Sequence, residues 1–192
     1  MKSLLVVLFI VGGISFGQSQ SLGGVSLYTG VSAFYNQDPA INAGGNGQYG
    51  YLIGFDSRLN SGNMYFSLGG RYIVTSLVPE NSMSFFSNAE DYKLAELRAG
   101  FGFNLINFNR HTRLRSKVMG SVMMAMNSPS DRVDIEGYEV VNDSWGGVVT
   151  GIGLDFGPLT ADFEFHKGLV NVYKGQSDSR LNAYAITVGI FF

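Results

Sequence analysis

The sequence contains no cysteine, only four prolines and two histidines, and charged residues make up only 15% of its 192 positions. Without cysteine the chain forms no disulfide, and two well-separated histidines give no metal-ligand cluster, so we predict no metal site and no cofactor. The formal net charge of −2 lacks the basic excess that binding to DNA or RNA requires. We therefore exclude nucleic acid as a partner.

Long apolar runs are also missing after residue 20. A transmembrane helix needs about 18 or more consecutive apolar residues, and no later stretch approaches that length. A helical membrane protein is therefore excluded. The chain is instead rich in glycine (26), phenylalanine (15) and tyrosine (10), a composition that suits strands whose aromatic residues meet an interface.

The first seventeen residues have the layout of a secretory signal peptide. A lysine precedes an apolar run, and small residues at Ser15 and Gly17 flank a cleavage point after Gly17. The run is shorter than the ~20 residues of the alternative, a membrane-spanning anchor, and no cysteine follows it to carry a lipid. We predict a signal peptide at 1–17 and one domain at 22–192.

The domain contains eight segments in which apolar and polar residues alternate, and no convincing amphipathic helix. Alternation with period 2 predicts half-buried β-strands. Most segments exceed the ~5–6 residues usual in globular proteins and reach the ~9–11 of a tilted transmembrane strand. The eight predicted strands are 22–34, 49–59, 64–75, 92–106, 112–126, 145–156, 159–168 and 180–192.

The links between these segments alternate between short and long without exception. The links after strands two, four and six are short (60–63, 107–111 and 157–159), and those after the odd-numbered strands are long. Outer-membrane β-barrels have an even number of antiparallel strands, short periplasmic turns and long extracellular loops. The pattern predicts an all-β, eight-stranded antiparallel up-and-down transmembrane barrel.

Each predicted strand has one apolar and one polar face. In strand four, Leu97, Phe101 and Phe103 alternate with Glu96 and Arg98. Periodicity alone does not say which face points inward, and a soluble lipocalin-like binder would enclose a ligand with its apolar face. The long, aromatic and almost uncharged apolar rows favour lipid outside and a polar interior.

The last segment ends on a pattern that identifies a protein class. Tyr184, Ile186, Val188, Ile190 and Phe192 share one face. Over nearly all of 22–192 the chain resembles the small eight-stranded outer-membrane β-barrels of the OmpA/OmpX type, whose last strand ends in an aromatic residue after alternating apolar ones. The resemblance implies a bacterial outer-membrane location and recognition of these five residues by the barrel-insertion machinery during assembly.

An eight-stranded barrel has an interior just wide enough for side chains to fill. We therefore predict a plugged lumen rather than an open pore. Charges of opposite sign should pair there, because an unpaired charge in a dry interior costs several kcal/mol. The predicted lumen charge network comprises Asp56, Arg58, Arg71, Glu96, Arg98, Arg113, Arg115, Lys117, Asp155, Asp162, Glu164 and His166.

One cluster leaves an enzymatic alternative open. Asp162, Glu164 and His166 alternate along one face, with His166 nearest the extracellular rim, where barrels that modify lipid A keep their chemistry. Catalysis needs a nucleophile or acid and a base within hydrogen-bonding reach, and no motif of those enzymes is evident. We predict no catalytic residue and interpret His166 as part of a polar lumen network.

Separable functions should lie in the loops, where binding residues concentrate. In loop 76–91, Phe85 and Phe86 have no evident core to enter, and loop 127–144 is acidic. We predict a structural, adhesive or complex-forming surface component that contacts membrane lipid, including lipopolysaccharide. Loops 76–91 and 127–144 are its candidate contacts with another outer-membrane or surface protein.

Overall fold

A computed structural model describes residues 23–37, 48–75, 92–109, 112–127, 142–174 and 179–192. Its strands match the predicted segments to within three residues at either end. No helix in the described ranges is long and apolar enough to cross a membrane. The strands are β1 (Gly24–Asn36), β2 (Gln48–Ser61), β3 (Met64–Thr75), β4 (Tyr92–Asn107), β5 (Thr112–Ala125), β6 (Ser144–Phe156), β7 (Leu159–Asn171) and β8 (Arg180–Phe191).

The strands form a closed barrel in chain order, which confirms the predicted all-β antiparallel fold. Every strand pairs with its neighbours in sequence, and β8 closes the sheet against β1 from Ser26↔Phe191 to Asn36↔Leu181. One circuit of paired residues that starts at Val25 returns to β1 at Tyr35, a shift of ten residues (35 − 25). At ~3.3 Å per residue and ~4.8 Å between strands, this shift gives a strand tilt of about 40°.

The outward face of the barrel is apolar and the inward face is largely polar in its middle. Leu97, Val118 and Ile186 are 59%, 54% and 57% exposed, whereas Glu96 and Arg98 are 1% and 2% exposed. The alternation follows from the pleat, because successive side chains of a strand point to opposite faces of the sheet. Strand periodicity thus identified the two faces, and the closed sheet assigns the polar one to the interior.

The two ends of the barrel differ in their connections. Two-residue links close β2–β3 and β6–β7, and Gly62 and Gly157 there adopt positive φ angles of 63° and 59° that residues other than glycine rarely tolerate. We call this the short-turn end and the opposite one the long-loop end. Near the short-turn end a β-bulge shifts the β4–β5 register between Asn104 and Ile106.

Some predicted features lie outside the described residues. These are the signal peptide at 1–17, Phe85 and Phe86 with loop 76–91, and residues 128–141 of loop 127–144. They remain predictions.

Gly102 tests the packing of the interior. A Cβ added at Gly102 would overlap the Tyr65 ring, and Tyr65 is held by a 3.0 Å hydrogen bond from its hydroxyl to the Ser116 carbonyl. We expect Gly102→Ala to lower the free energy of unfolding by about 1–3 kcal/mol, the usual cost of overpacking. Urea denaturation of the folded barrel in detergent measures this.

Gly120→Ala is the matched control for Gly102→Ala. Gly120 lies on the outward face of the neighbouring strand, where the nearest atom to an added Cβ is the Ala99 carbonyl oxygen at 4.0 Å. We expect its unfolding midpoint to equal that of the wild type. Equal loss of stability in both variants would contradict the proposed packing.

Candidate functional site

The barrel interior contains a network of ion pairs between five cations and five anions. All are charged residues that the sequence placed on inward faces, and nine ion pairs connect them. We call this set the lumen charge cluster. Its members are Asp56, Arg58, Arg71, Glu96, Arg98, Arg115, Lys117, Asp155, Asp162 and Glu164.

Glu164 lies at the centre of the lumen charge cluster. Its carboxylate accepts hydrogen bonds of 2.8 Å from both Arg71 Nη1 and Arg98 Nη1, and it also pairs with Lys117. The residue is 1% exposed. Three cations around one carboxylate satisfy its oxygens but leave a net charge of +2, which two further anions balance.

Two further carboxylates supply that balance toward β2 and β4. Arg98 donates to Asp56 in a two-pronged contact of 3.0 Å (Nε–Oδ1) and 2.5 Å (Nη2–Oδ2), and its guanidinium carbon lies 5.2 Å from the centre of the Tyr28 ring. Arg71 pairs with Glu96 across the β3–β4 ladder. Two-pronged contacts with carboxylates are among the strongest side-chain hydrogen bonds.

The remaining pairs extend toward the short-turn end. Arg115 contacts both oxygens of Asp162 at 2.8 and 2.6 Å and also donates to Asp155 at 2.9 Å. Arg58 donates to Asp155 at 3.2 Å, and its guanidinium carbon lies 4.9 Å from the Phe191 ring centre. A continuous chain of contacts thus connects this end with the middle of the barrel.

Charge balance makes this interior stable. Removing an ion from water costs several kcal/mol unless partners replace the lost hydration. Five positive and five negative side chains give the lumen charge cluster a net charge of zero, and every member has a partner within 4 Å. Glycines make room for the long side chains, since a Cβ at Gly153 would lie 2.6 Å from the Arg115 guanidinium carbon.

His166 lies beside the lumen charge cluster, in contact with a serine and a carboxylate. Ser121 Oγ is 2.8 Å from His166 Nε2, and Glu96 Oε1 is 3.9 Å from the same nitrogen. In a serine–histidine–carboxylate relay the serine and the carboxylate contact different ring nitrogens. Glu96 is also paired with Arg71, and Ser121 is only 6% exposed.

Apolar side chains fill the interior at the long-loop end. Leu94 continues the inward face of β4 beyond Glu96, and Met123 does the same on β5 beyond Ser121. Sequence reasoning missed this layer, although the apolar residues at these inward positions would have indicated it. We call it the apolar cap, formed by Phe34, Leu52, Ile73, Tyr92, Leu94, Met123, Trp145, Val172, Tyr173, Leu181 and Ala183.

One cation of the predicted network lies outside the lumen charge cluster. Arg113 is half-buried at the short-turn end, opposite Asp155 in the register, whereas the Asp155 carboxylate is held by Arg58 and Arg115. Within the described ranges no group of three or more histidine, aspartate or glutamate side chains could hold a metal ion.

The five residues of the predicted assembly signal all face outward on β8 and at its end. Tyr184, Ile186, Val188, Ile190 and Phe192 are 45–70% exposed. The Tyr184 ring also stacks on Tyr35 at a centroid distance of 5.8 Å and contacts the Phe165 ring at 5.1 Å in a tilted arrangement. Backbone hydrogen bonds of 2.8 and 3.2 Å join Phe192 and Val25 at the seam of the barrel, where β8 meets β1.

Comparison with solved structures places the fold among outer-membrane barrels. Neisserial surface protein A is 12% identical, with a TM-score of 0.55 over 88% of this chain and 97% of that protein. Ail, the attachment invasion locus protein of Yersinia pestis, solved with the heparin analogue sucrose octasulfate, is 15% identical, with a TM-score of 0.42 over 89% of this chain and 99% of that protein. No protein-family model and no curated protein matches the sequence.

Replacing Glu164 tests the charge balance. We expect Glu164→Gln to lower the free energy of unfolding by about 3–5 kcal/mol, because breaking a buried pair leaves an uncompensated charge. The double variant Glu164→Gln with Lys117→Met restores equal numbers of cations and anions, and we expect it to recover part of the loss. Urea denaturation in detergent measures both.

The exposed Asp143 provides the control for this experiment. Asp143→Asn makes the same chemical change outside the barrel interior, and we expect it to leave the unfolding midpoint unchanged. A double variant that is less stable than Glu164→Gln alone would contradict the role of net charge.

Proposed function

We propose that the protein is an integral bacterial outer-membrane barrel with a sealed lumen, and that it acts as a structural, adhesive or complex-forming surface component. The observation that carries this proposal is the apolar outward face, on which the described lysines Lys93 and Lys167 lie toward the long-loop end, around a charged but neutralised interior. A soluble barrel would expose these side chains to water, and contiguous apolar surface of that extent indicates an interface. Lipid is the interface that surrounds a barrel on all sides.

The alternation of short and long links supports one orientation in the membrane. In outer-membrane barrels the short turns lie in the periplasm and the long loops outside the cell. We assign the short-turn end to the periplasm and the long-loop end to the cell surface. A cleaved signal peptide at 1–17 would deliver the chain to the periplasm for insertion.

The two layers of the interior support a sealed lumen. The apolar cap excludes water at the long-loop end, and the lumen charge cluster fills the space below it with nine ion pairs. Opening a path for solutes would require breaking several buried pairs at once, each at a cost of several kcal/mol. The interior therefore favours a stabilising role over transport.

The contacts of His166 do not favour the enzymatic alternative. Its Nε2 meets both Ser121 and Glu96 inside a continuous sheet, where a lipid substrate would have no lateral entry. We propose that Ser121 and His166 form a hydrogen-bonded pair that fills the boundary between the lumen charge cluster and the apolar cap.

With a sealed interior, the binding surfaces of the protein would be its outer face and its long loops. Lipopolysaccharide would pack against the outward aromatic side chains of β1, β7 and β8 near the long-loop end, where the Tyr184 ring contacts Tyr35 and Phe165. Loops 76–91 and 127–144, with Phe85 and Phe86 in the first, are the proposed contacts with another outer-membrane or surface protein.

A charge on the outward face distinguishes a membrane barrel from a soluble one. Val118 is 54% exposed at mid-strand, and we expect Val118→Arg to disfavour insertion into lipid vesicles by about 2–4 kcal/mol. Leu159→Arg, at the short-turn rim, should cost about 0–1 kcal/mol. Equilibrium folding into vesicles, read from heat-modifiable gel mobility, measures both. In a soluble barrel both changes would be neutral, and that result would refute the proposal.

The aromatic end of β8 provides a separate test of assembly. The Phe192 side chain is 70% exposed, while its backbone closes the seam with Val25. We expect Phe192→Ala to fold normally into detergent micelles but to accumulate at reduced levels in the outer membrane of cells, because only the insertion machinery would need the ring. Phe156→Ala, which removes a ring that is 64% exposed at the same end of the barrel but outside β8, is the control. Equal losses in micelles and cells would mean that the ring acts through stability.

A further inference from the structure

We propose that a cleft at the short-turn end binds the free carboxylate end of a peptide. The cleft has a volume of about 430 Å³ and is lined by Gly62, Asn63, Asn104, Asn107, Asn109 and Arg113. The location of this cleft in the periplasm rests on the proposed function, whereas its ability to bind a carboxylate depends only on its lining residues. Ligand sites commonly have volumes of about 300–1,000 Å³, so the cleft can hold a short peptide segment.

Arg113 gives the cleft its charge. The lumen charge cluster, which lies between Arg113 and the apolar cap, contains five cations and five anions, so Arg113 is a sixth cation beyond the balanced set. The nearest carboxylate in the register, Asp155, is held by Arg58 and Arg115. No carboxylate lines the described cleft. The guanidinium therefore remains available to a ligand carboxylate, which it matches with two parallel hydrogen bonds.

The β-bulge in β4 brings a second ligand-binding group to Arg113. Residues with odd numbers in β4, such as Leu97 and Phe101, face outward before the bulge. After the register shifts between Asn104 and Ile106, Asn107 pairs with Arg113. Side chains of directly opposed residues share one face of the sheet. Bulges often re-aim a side chain at a barrel rim, and here the bulge places Asn107 beside Arg113, which has no ion pair among the described residues.

The two neighbouring turns are joined at the cleft. The Asn104 amide donates a 2.8 Å hydrogen bond to the Asn63 carbonyl, which links β4 to the β2–β3 turn. The Phe108 amide donates to the Thr112 carbonyl at 3.0 Å and closes the β4–β5 connection. The cleft is therefore built on bonded backbone, which lowers the ordering cost of binding.

The composition of the cleft indicates the class of ligand. Each asparagine amide offers two donor hydrogens and one acceptor oxygen, so Asn63, Asn104 and Asn107 with Arg113 can make several neutral hydrogen bonds for each ionic one. A peptide end presents that ratio, with several N–H and C=O groups beside one carboxylate. Among the described lining residues Arg113 is the single cation, whereas a phosphate-bearing headgroup calls for clustered cations, and none of these residues has an aromatic ring to stack on a sugar.

The test uses the full chain in detergent micelles and a tetra-alanine peptide with a free C-terminal carboxylate. Binding is followed by NMR from the side-chain amide signals of asparagine and the Nε–H signal of arginine, and Trp145, remote from the cleft, serves as an internal reference. We expect the cleft signals to shift saturably, and the C-terminally amidated peptide to bind at least about tenfold more weakly, as loss of a charged hydrogen-bonded pair implies.

Variants connect the binding to Arg113. Arg113→Gln should weaken binding of the free carboxylate by about tenfold and abolish the preference over the amidated peptide. Asn107→Ala should weaken both peptides alike. Lys93→Gln removes a cation from an exposed position at the opposite end of the barrel and should change nothing. Heat-modifiable gel mobility confirms that each variant is folded before it is titrated.

Several outcomes would overturn the proposal. These are saturable binding of glycerophosphoethanolamine or of an N-acetylglucosamine oligomer in preference to the peptide, equal binding of the free and amidated peptides, or no shift at all.

The orientation of the barrel in the membrane is tested separately. The chain has no cysteine, so Asn63→Cys can be labelled selectively in cells. Labelling from outside intact cells would refute the periplasmic assignment and leave the peptide result standing.

Discussion

The interior of this barrel depends on the equality of positive and negative charge inside a space that side chains fill. A small barrel must place half of its strand residues inside, and the polar face leaves ten charged side chains there. Removing each of these charged side chains from water is costly, so any one of them left without an oppositely charged partner would destabilise the fold. Glu164, bound by three cations, connects the pairs into one network. Glycines such as Gly153 leave room for the long charged side chains, and the strand register brings opposite charges within contact distance.

The interior is also divided along its length. The apolar cap occupies the long-loop end and the lumen charge cluster the middle and lower part, with Ser121 and His166 between them. Buried apolar side chains next to the ion pairs lower the local dielectric, which strengthens electrostatic attraction. In the proposed sealed barrel, this division of the described interior would direct binding to the outer face, the rims and the loops.

Strand order, strand bounds and the two faces could be predicted from the sequence because each depends on a period-2 pattern that local residues carry. The membership of the interior followed from the same parity, as Glu96 and Arg98 illustrate. Which charges pair did not, because Glu164 meets Arg71, Arg98 and Lys117 only through the ten-residue shift around the sheet. The position of Asn107 opposite Arg113 also required the structure, since the bulge before Ile106 breaks the parity of β4 on which sequence reasoning relies.

The pairing of β1 with β8 has a consequence for how the chain reaches its folded state. Ser26 and Phe191 are opposed in the sheet although 165 residues (191 − 26) separate them. Contacts between such distant residues form late, because the intervening chain must be ordered first. Until β8 is in place, β1 and β7 each present an open edge that can pair with another chain. We therefore expect the β1–β8 pairing to form last. Once it forms, the sheet has no open edge left to pair with another chain.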